Sequence, residues 1–299
     1  MTSLAPRVVM VTRPSDFERF MALHATRGQA EFFLKQRGQS LSALELQSSQ
    51  VTTAIAAAEM AVPDEWSMAH VSREDLDRFL FSDRDIVVAI GQDGLVANLA
   101  KYLSGQPVVG ITPSPDEAEG ILTALPASIL PSLLPMVAAR DVDLQERTMV
   151  EARLDDGQTL TALNELFIGH RSHQSARYII QFNGTEEFQS SSGIIVSTGT
   201  GLTGWARSIL STTQRRTTIE PEDRTAVYFA REPWPSKTTG NDLVFGKLGQ
   251  DTEVSLVSRM NDGGIVFADG IEQDFLRFDW GIKASISIAD RTLNLVQAP

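Results

Sequence analysis

Asp85-Ile86-Val87-Val88-Ala89-Ile90-Gly91-Gln92-Asp93-Gly94 is the stretch on which the fold turns. Ile86 to Ile90 is an uninterrupted apolar run, β-branched at four of its five positions, and too short for an ordinary helix. That texture reads as a parallel strand buried on both faces. The glycine-bounded turn stops it, Leu95 to Leu103 reads as a helix, and Val108-Val109-Gly110-Ile111 supplies another strand. Strand, turn, helix and strand in that order predict an α/β layered domain with a Rossmann-like parallel sheet.

Toward the N-terminus, Arg7 to Val11 reads as a further strand, and Ser15-Asp16-Phe17-Glu18 has the spacing of a capping box. Thr26 to Gln29 repeats that spacing ahead of a helix with Ala30, Phe33 and Leu34 on its apolar face, ending near Arg37 and Gly38. A third helix is expected near Gln50 to Met60 and a short amphipathic one over Ser72 to Phe81. Pro126, Pro131 and Pro135 make the stretch to Asp143 read as a boundary.

Beyond about Glu146 the texture changes. Short strand-like runs alternate with Asp156-Gly157, Asn183-Gly184, Asp262-Gly263 and Asp269-Gly270, all hairpin signals. Two domains are therefore expected: residues 1–140, α/β with the Gly-Gln-Asp-Gly turn, and residues 141–299, β-rich.

Composition excludes several classes. With no cysteine, disulfides and thiolate chemistry are absent. A net charge of −12 opposes attraction to nucleic acid and anionic lipid, so a phosphate site must be built locally. No apolar run approaches the roughly 18 residues of a membrane span, and Met1 to Arg13 lacks a secretory pattern, so a cytoplasmic protein with no membrane partner is expected. Neither a G-x-S-x-G elbow nor a Walker A loop is present.

Four features carry chemistry. Asp93 ends a buried strand where ligands bind in open α/β sheets, although an isolated Asp-Gly is more often a plain turn. Gly199-Thr200-Gly201-Leu202-Thr203-Gly204 satisfies G-x-G-x-x-G, but the polar stretch Ser211 to Arg224 follows where a dinucleotide fold needs a parallel strand. A Rossmann dehydrogenase is thereby disfavoured, while a loop that lets a nucleotide approach the backbone is retained. Asn164-Glu165 interrupts the strand-like Leu160 to Ile168, either as a solvated edge or as a site. His170 and His173 read as a surface loop, and no metal-ligand set is expected.

In order along the chain, these segments resemble the NAD kinase family, within the NAD kinase/diacylglycerol kinase-like fold, and in particular its mitochondrial-type branch. Asp85 to Gly94 is similar to the strand leading into G-G-D-G. Pro107 to Ile111 with Asp116 to Gly120 is similar to the next strand and its loop. Ala162 to Gly169 resembles the family's Asn-Glu segment, and Ser191-Ser192-Gly193 with Thr198-Gly199-Thr200-Gly201 and Trp205 its glycine and threonine loop.

The resemblance implies a transferase that phosphorylates the adenosine-ribose 2′-hydroxyl of NAD from ATP with Mg²⁺, and a homodimer or higher homo-oligomer. Its last segment is expected to return to the N-terminal domain. It assigns Asp93 as the group that activates the hydroxyl, and Gly91, Gln92 and Gly94 to the phosphates. Asn164, Glu165, Ser192, Thr198, Thr200, Gly201, Thr203 and Trp205 fall to the dinucleotide. Apart from the resemblance, Arg207, Arg231 and Lys237 are candidates for charge compensation. The family's second glycine is Gln92 here, its following threonine is Leu95, and Ser192 stands where many members carry aspartate. If position 92 takes a positive φ, glutamine there is strained. The alternatives are an impaired NAD(P)-binding regulator and a related kinase acting on a lipid or sugar hydroxyl.

Overall fold

The computed structural model describes residues 5–117 and 120–298. Met1 to Leu4, Ala118 and Glu119 of the loop in Asp116 to Gly120, and Pro299 lie outside the described residues. The chain divides into two compact units, one running to Gln145 and completed by Asn294–Pro299, the other Glu146–Leu293.

In chain order the first unit contains β1 (Arg7–Thr12), α1 (Asp16–Ala22), α2 (Arg27–Lys35), α3 (Leu41–Ala61), β2 (Ser67–Ser72), β3 (Asp85–Ile90), α4 (Asp93–Ala100), β4 (Pro107–Thr112), β5 (Leu125–Pro126) and α5 (Leu130–Ala139). Then come β6 (Leu144–Leu154), β7 (Thr159–Ala162), β8 (Glu165–His170), β9 (Ala176–Phe182), β10 (Thr185–Ser191), β11 (Ile194–Thr198), α6 (Trp205–Thr213) and β12 (Ala226–Ala230). The chain finishes with β13 (Phe245–Leu248), β14 (Val254–Ser258), β15 (Gly264–Ala268), β16 (Phe275–Arg277) and β17 (Lys283–Val296).

The first unit is a parallel sheet in the order β2-β1-β3-β4. Every residue of β3 is buried, as its apolar run requires. β5 pairs with the end of β4, while Asn294 and Leu295 of β17 pair in parallel with its start at Pro107 and Val108. Val8, Met10, Ile86, Val88, Val109 and Ile111 from the strands pack with Ala54 and Ala58 of α3 and Leu130, Leu133 and Leu134 of α5. Among the described residues no helix is long and apolar enough to cross a membrane.

Three sequence expectations are corrected here. Ser72 to Phe81 holds no amphipathic helix; its start closes β2, and a short 3₁₀ turn occupies Arg73–Asp75. β2 is an edge strand, mostly exposed, so no apolar alternation announces it. α3 begins at Leu41, well before Gln50. The proline-marked boundary contains α5, in which Pro131 lies in the first turn, where its missing N–H costs no intrahelical bond, and Pro135 lies inside.

The second unit is built from antiparallel strands. One sheet runs β10-β9-β14-β17, with β6 joined to β17 and β7; the other runs β13-β12-β11-β8-β15-β16. Their inner faces share a core that includes Tyr178, Ile180, Val196, Tyr228, Leu256, Val266 and Ile286. Asn183 and Gly184 both take positive φ, as the tight β9-β10 turn demands. β12 runs antiparallel to β11, so the glycine-rich stretch after β11 opens no βαβ unit.

Arg7 and Asp85 lie side by side in the register of β1 and β3. Asp85 is 1% exposed and accepts from Arg7 Nε at 2.9 Å and Nη2 at 2.6 Å, and from Ser82 N–H at 2.7 Å. Burial pushes this carboxyl up, but the bonds from Arg7 and Ser82 outweigh it and hold the group below the usual carboxylate range. Stability from this source is present above the unfolded-state pKa and is lost as pH falls through the depressed folded-state value. Arg7→Ala should therefore lower stability at pH 7 by about 2–3 kcal/mol, at or below the low end for a buried pair because Arg7 keeps a third of its side chain exposed. Urea unfolding measures this, and the difference from wild type should shrink as the pH falls below the usual carboxylate range and Asp85 protonates.

Candidate functional site

In the first unit, a cavity of about 420 Å³ opens at the carboxyl ends of the parallel strands. Arg13 follows β1, Ile90 ends β3 and is followed by Gly91, Gln92 and Asp93, and Thr112 ends β4 and is followed by Pro113 and Ser114. Ser15, Asp16 and Gln47 complete much of the polar lining.

Asp93 is the first residue of α4 and is held from the loop after β4. Its Oδ1 accepts from Leu122 N–H at 3.0 Å, Thr123 N–H at 2.9 Å and Thr123 Oγ1 at 3.0 Å; its Oδ2 accepts from Ile121 N–H at 2.8 Å. A carboxylate offers about four acceptor sites, so the loop fixes this side chain firmly. Gly120 is required for the nesting: a Cβ there would stand 2.4 Å from Asp93 Oδ1.

Gln92 has φ −107° and ψ 163°, ordinary extended backbone. The strain expected for glutamine at this position is absent, because the turn does not need a left-handed residue there. The side-chain Oε1 accepts from Arg13 Nη2 at 2.8 Å. Arg13 is the residue the sequence reading missed. It belongs to no motif, and its signal is only a cation directly after a buried strand on the ligand-binding edge. Burial lowers its pKa, partly offset by Asp16, with Arg19 and Arg73 adding to the lowering. Leu95 is buried, in the place of the family's threonine, and packs in α4. A side chain at Gly94 would meet open space.

The second unit gathers the remaining candidates around the junction of β7 and β8. Leu163 and Asn164 leave the ladder between the two strands. Their carbonyls are taken from one side: Thr198 Oγ1 donates to Leu163 O at 2.6 Å, and Thr198 N–H donates to Asn164 O at 3.0 Å. Thr198 Oγ1 in turn accepts from Gly201 N–H at 3.2 Å. Gly201 cannot carry a side chain, since a Cβ would lie 2.2 Å from Asn164 O. The Asn-Glu segment and the glycine-threonine loop thus form one hydrogen-bonded body.

Thr200 is buried and accepts from Arg147 Nη1 at 3.3 Å, which puts a second unanticipated cation beneath that loop. Thr203 is exposed and donates to Thr200 O at 2.9 Å. Trp205 opens α6; its indole stacks on Phe167 with centroids 5.9 Å apart, and the Arg231 guanidinium lies 5.1 Å above it. Ser192 donates its N–H to Arg231 O at 2.8 Å, so Ser192 and Trp205 are linked through Arg231. Arg207 and Lys237 are exposed.

Asn164 is half-buried and Glu165 only 8% exposed, so the solvated-edge alternative does not hold for Glu165. Neither side chain makes a hydrogen bond among the described residues. Burial, reinforced by the nearby Asp269 carboxylate, pushes Glu165 up to about 7. A buried carboxyl without a partner and an adjacent idle carboxamide are suited to receive ligand hydroxyl or amide groups. His170 and His173 line a separate cavity with Arg177 and Arg259, and His170 Nδ1 is bonded to Ser172.

No protein-family model matches the chain. The NAD kinase of Burkholderia pseudomallei is 30% identical over 132 residues, covering 42% of this chain and 43% of that protein. The NAD kinase of Heliobacterium modesticaldum is 33% identical over 132 residues, covering 42% and 46%. The matched stretch therefore spans less than half the length of these curated relatives. Among solved structures, a yeast NADH kinase complexed with NADH superposes with a TM-score of 0.60 at 14% identity, covering 100% of this chain and 85% of that one. An Archaeoglobus fulgidus NAD kinase in complex with ATP gives 0.59 at 18% identity, covering 97% and 93%. The chain has the fold of the NAD kinases, and its sequence likeness to curated members supports a place in that family.

Proposed function

We propose that the chain is an ATP-dependent NAD kinase, transferring the γ-phosphoryl group of ATP to the adenosine-ribose 2′-hydroxyl of NAD. The observation that carries this reading is the cavity at the carboxyl edge of the parallel sheet, bounded by the Gly91 to Asp93 turn and backed by Arg13. Similarity to NAD kinases selects the acceptor. The glycine-threonine loop with Trp205 supports the mitochondrial-type branch.

Phosphoryl transfer through a loose transition state asks chiefly for positioning and charge neutralisation. The bond from the 2′-oxygen to γ-phosphorus forms, the bond from γ-phosphorus to the bridging oxygen breaks, and ADP leaves. Asp93 receives and orients the attacking hydroxyl and takes its proton late, when the oxygen has become acidic. Sharing one of the bonds from Ile121 to Thr123 makes room for that contact. Arg13, parked on Gln92, binds donor phosphate, and the open backbone at Gly94 allows its close approach.

Asp16 and Asp93 are the carboxylates lining the cavity, and among the described residues no three His, Cys, Asp or Glu side chains are grouped to hold a metal. That donor set fits a Mg²⁺ carried mainly by nucleotide phosphates and one or two carboxylates. When bound, the ion neutralises charge on the transferring group. Asn164 and Glu165 hold the dinucleotide through its adenosine portion, on the frame set by Thr198 and Gly201.

NADP formation from NAD, ATP and Mg²⁺, followed in a coupled assay, is the test. Turnover should fall by roughly 100-fold or more in Asp93→Asn. Absence of wild-type turnover despite saturable NAD binding would instead support a regulator. Arg13→Ala should raise KM for ATP at least tenfold, the loss of one charge-assisted contact of about 1.5–3 kcal/mol, and leave the NAD affinity unchanged by calorimetry. Because Gln92 is unstrained, Gln92→Gly should change activity less than about threefold and lower stability by about 0.4–1 kcal/mol. A tenfold rise in activity would show that glutamine crowds the donor.

A further inference from the structure

We propose that Asp269 is a positioning residue for dinucleotide binding, its carboxylate clamping the backbone amides from which Asn164 and Glu165 reach their ligand. The inference rests on the assignment of that pair to the dinucleotide.

Asp269 lies in the turn between β15 and β16, a hundred residues along the chain from the segment it holds. Its Oδ2 accepts from Leu163 N–H at 3.1 Å, and its Oδ1 accepts from Asn164 N–H at 2.7 Å and, more loosely, from Glu165 N–H at 3.4 Å. Its own N–H donates to Glu165 O at 3.0 Å. Leu163 and Asn164 are the residues that lie outside both strands where β7 gives way to β8. An unmet buried amide costs roughly 1–3 kcal/mol, so the carboxylate replaces a missing strand neighbour. Thr198 secures the carbonyls of Leu163 and Asn164, so Asp269 and Thr198 together fix the segment at both its donors and its acceptors.

Asp269 takes φ 51° and Gly270 φ 72°, the ordinary conformation of an Asp-Gly tight turn, so it is the bonds made by its side chain that set Asp269 apart. Its negative charge also acts on Glu165, where burial is the larger effect and Asp269 the second. Ser197 of β11, opposite Glu165 in the ladder, is uncharged. Asp269 therefore both places the Asn-Glu pair and favours the protonated form of Glu165, which can donate to a ligand oxygen.

The test uses the full chain with Asp269→Gly and Asp269→Asn. Asp269→Gly removes every side-chain acceptor while relaxing the backbone at φ 51°, which protects folding; Asp269→Asn keeps one acceptor oxygen and removes the charge. NAD affinity by calorimetry should fall tenfold or more in Asp269→Gly and by an intermediate factor in Asp269→Asn, with KM for ATP within twofold of wild type. The pH midpoint of NAD binding should move down equally in both, because both lose the same charge, which a purely structural loss would not produce. Amide exchange at Leu163, Asn164 and Glu165 should accelerate without ligand. Wild-type NAD affinity and pH midpoint in Asp269→Gly would overturn the proposal, as would unchanged exchange at those amides. If the wild-type chain binds no NAD, the functional assignment fails, whereas exchange still decides whether Asp269 holds the segment.

Discussion

A backbone amide that leaves a helix or a ladder still needs an acceptor, and in this protein carboxylates repeatedly supply it, at both candidate sites and elsewhere. Asp93 holds Ile121 to Thr123, Asp269 holds Leu163 to Glu165, Asp85 holds Ser82, and Glu187 accepts from Asp242 N–H at 2.9 Å. The excess of acidic residues behind the net charge of −12 is thus partly structural. Each anchored loop is set by a bond between a charged acceptor and a backbone donor, stronger than a neutral one and directional. Such a loop keeps its shape with little apolar surface of its own. Without these bonds, Gly120 and Gly201 would be free to drift from the close approaches that only glycine permits.

The two units build their candidate sites by different means. In the first, a sheet buried on both faces ends abruptly, leaving turn residues whose polar groups face a cavity; the positions follow from topology. In the second, no such edge exists. The candidate site is set in an antiparallel sandwich, where the break between β7 and β8 at Leu163 and Asn164 is tied to the glycine-threonine loop through Thr198. The arrangement accounts for a G-x-G-x-x-G sequence outside a βαβ unit: its glycines admit the Asn164 carbonyl and the Glu220 carbonyl, against which Cβ atoms would stand 2.2 Å away.

The parallel sheet was legible because β3 is buried throughout and announces itself by apolar continuity. β2 was not, because an exposed edge strand carries no period. α5 was hidden by prolines whose cost is small at the start of a helix and is met inside it by the burial of Leu130, Leu133, Leu134 and Val137. At the site, Asn164 and Glu165 stood out as polar residues in a strand-like run. Arg13 and Arg147 did not, since each owes its place to a contact distant in sequence, with Gln92 and Thr200 respectively. Asp269 was visible only as half of a turn signal; its carboxylate's role depends on partners more than a hundred residues away. Local pattern reveals elements and misses the side chains that tie them together.

The pairing of Asn294 and Leu295 with Pro107 and Val108 bears on how the molecule is made. The unit translated first lacks one strand until residues at the far end of the second have been synthesised. At roughly 5–20 residues per second, the ~150 intervening residues delay its completion by about 7–30 s. During that interval the start of β4 presents an unpaired edge, the kind of surface that invites mispairing with other nascent chains. The final strand therefore acts as a late closure, and the nascent N-terminal unit has most to gain from chaperone protection while it waits.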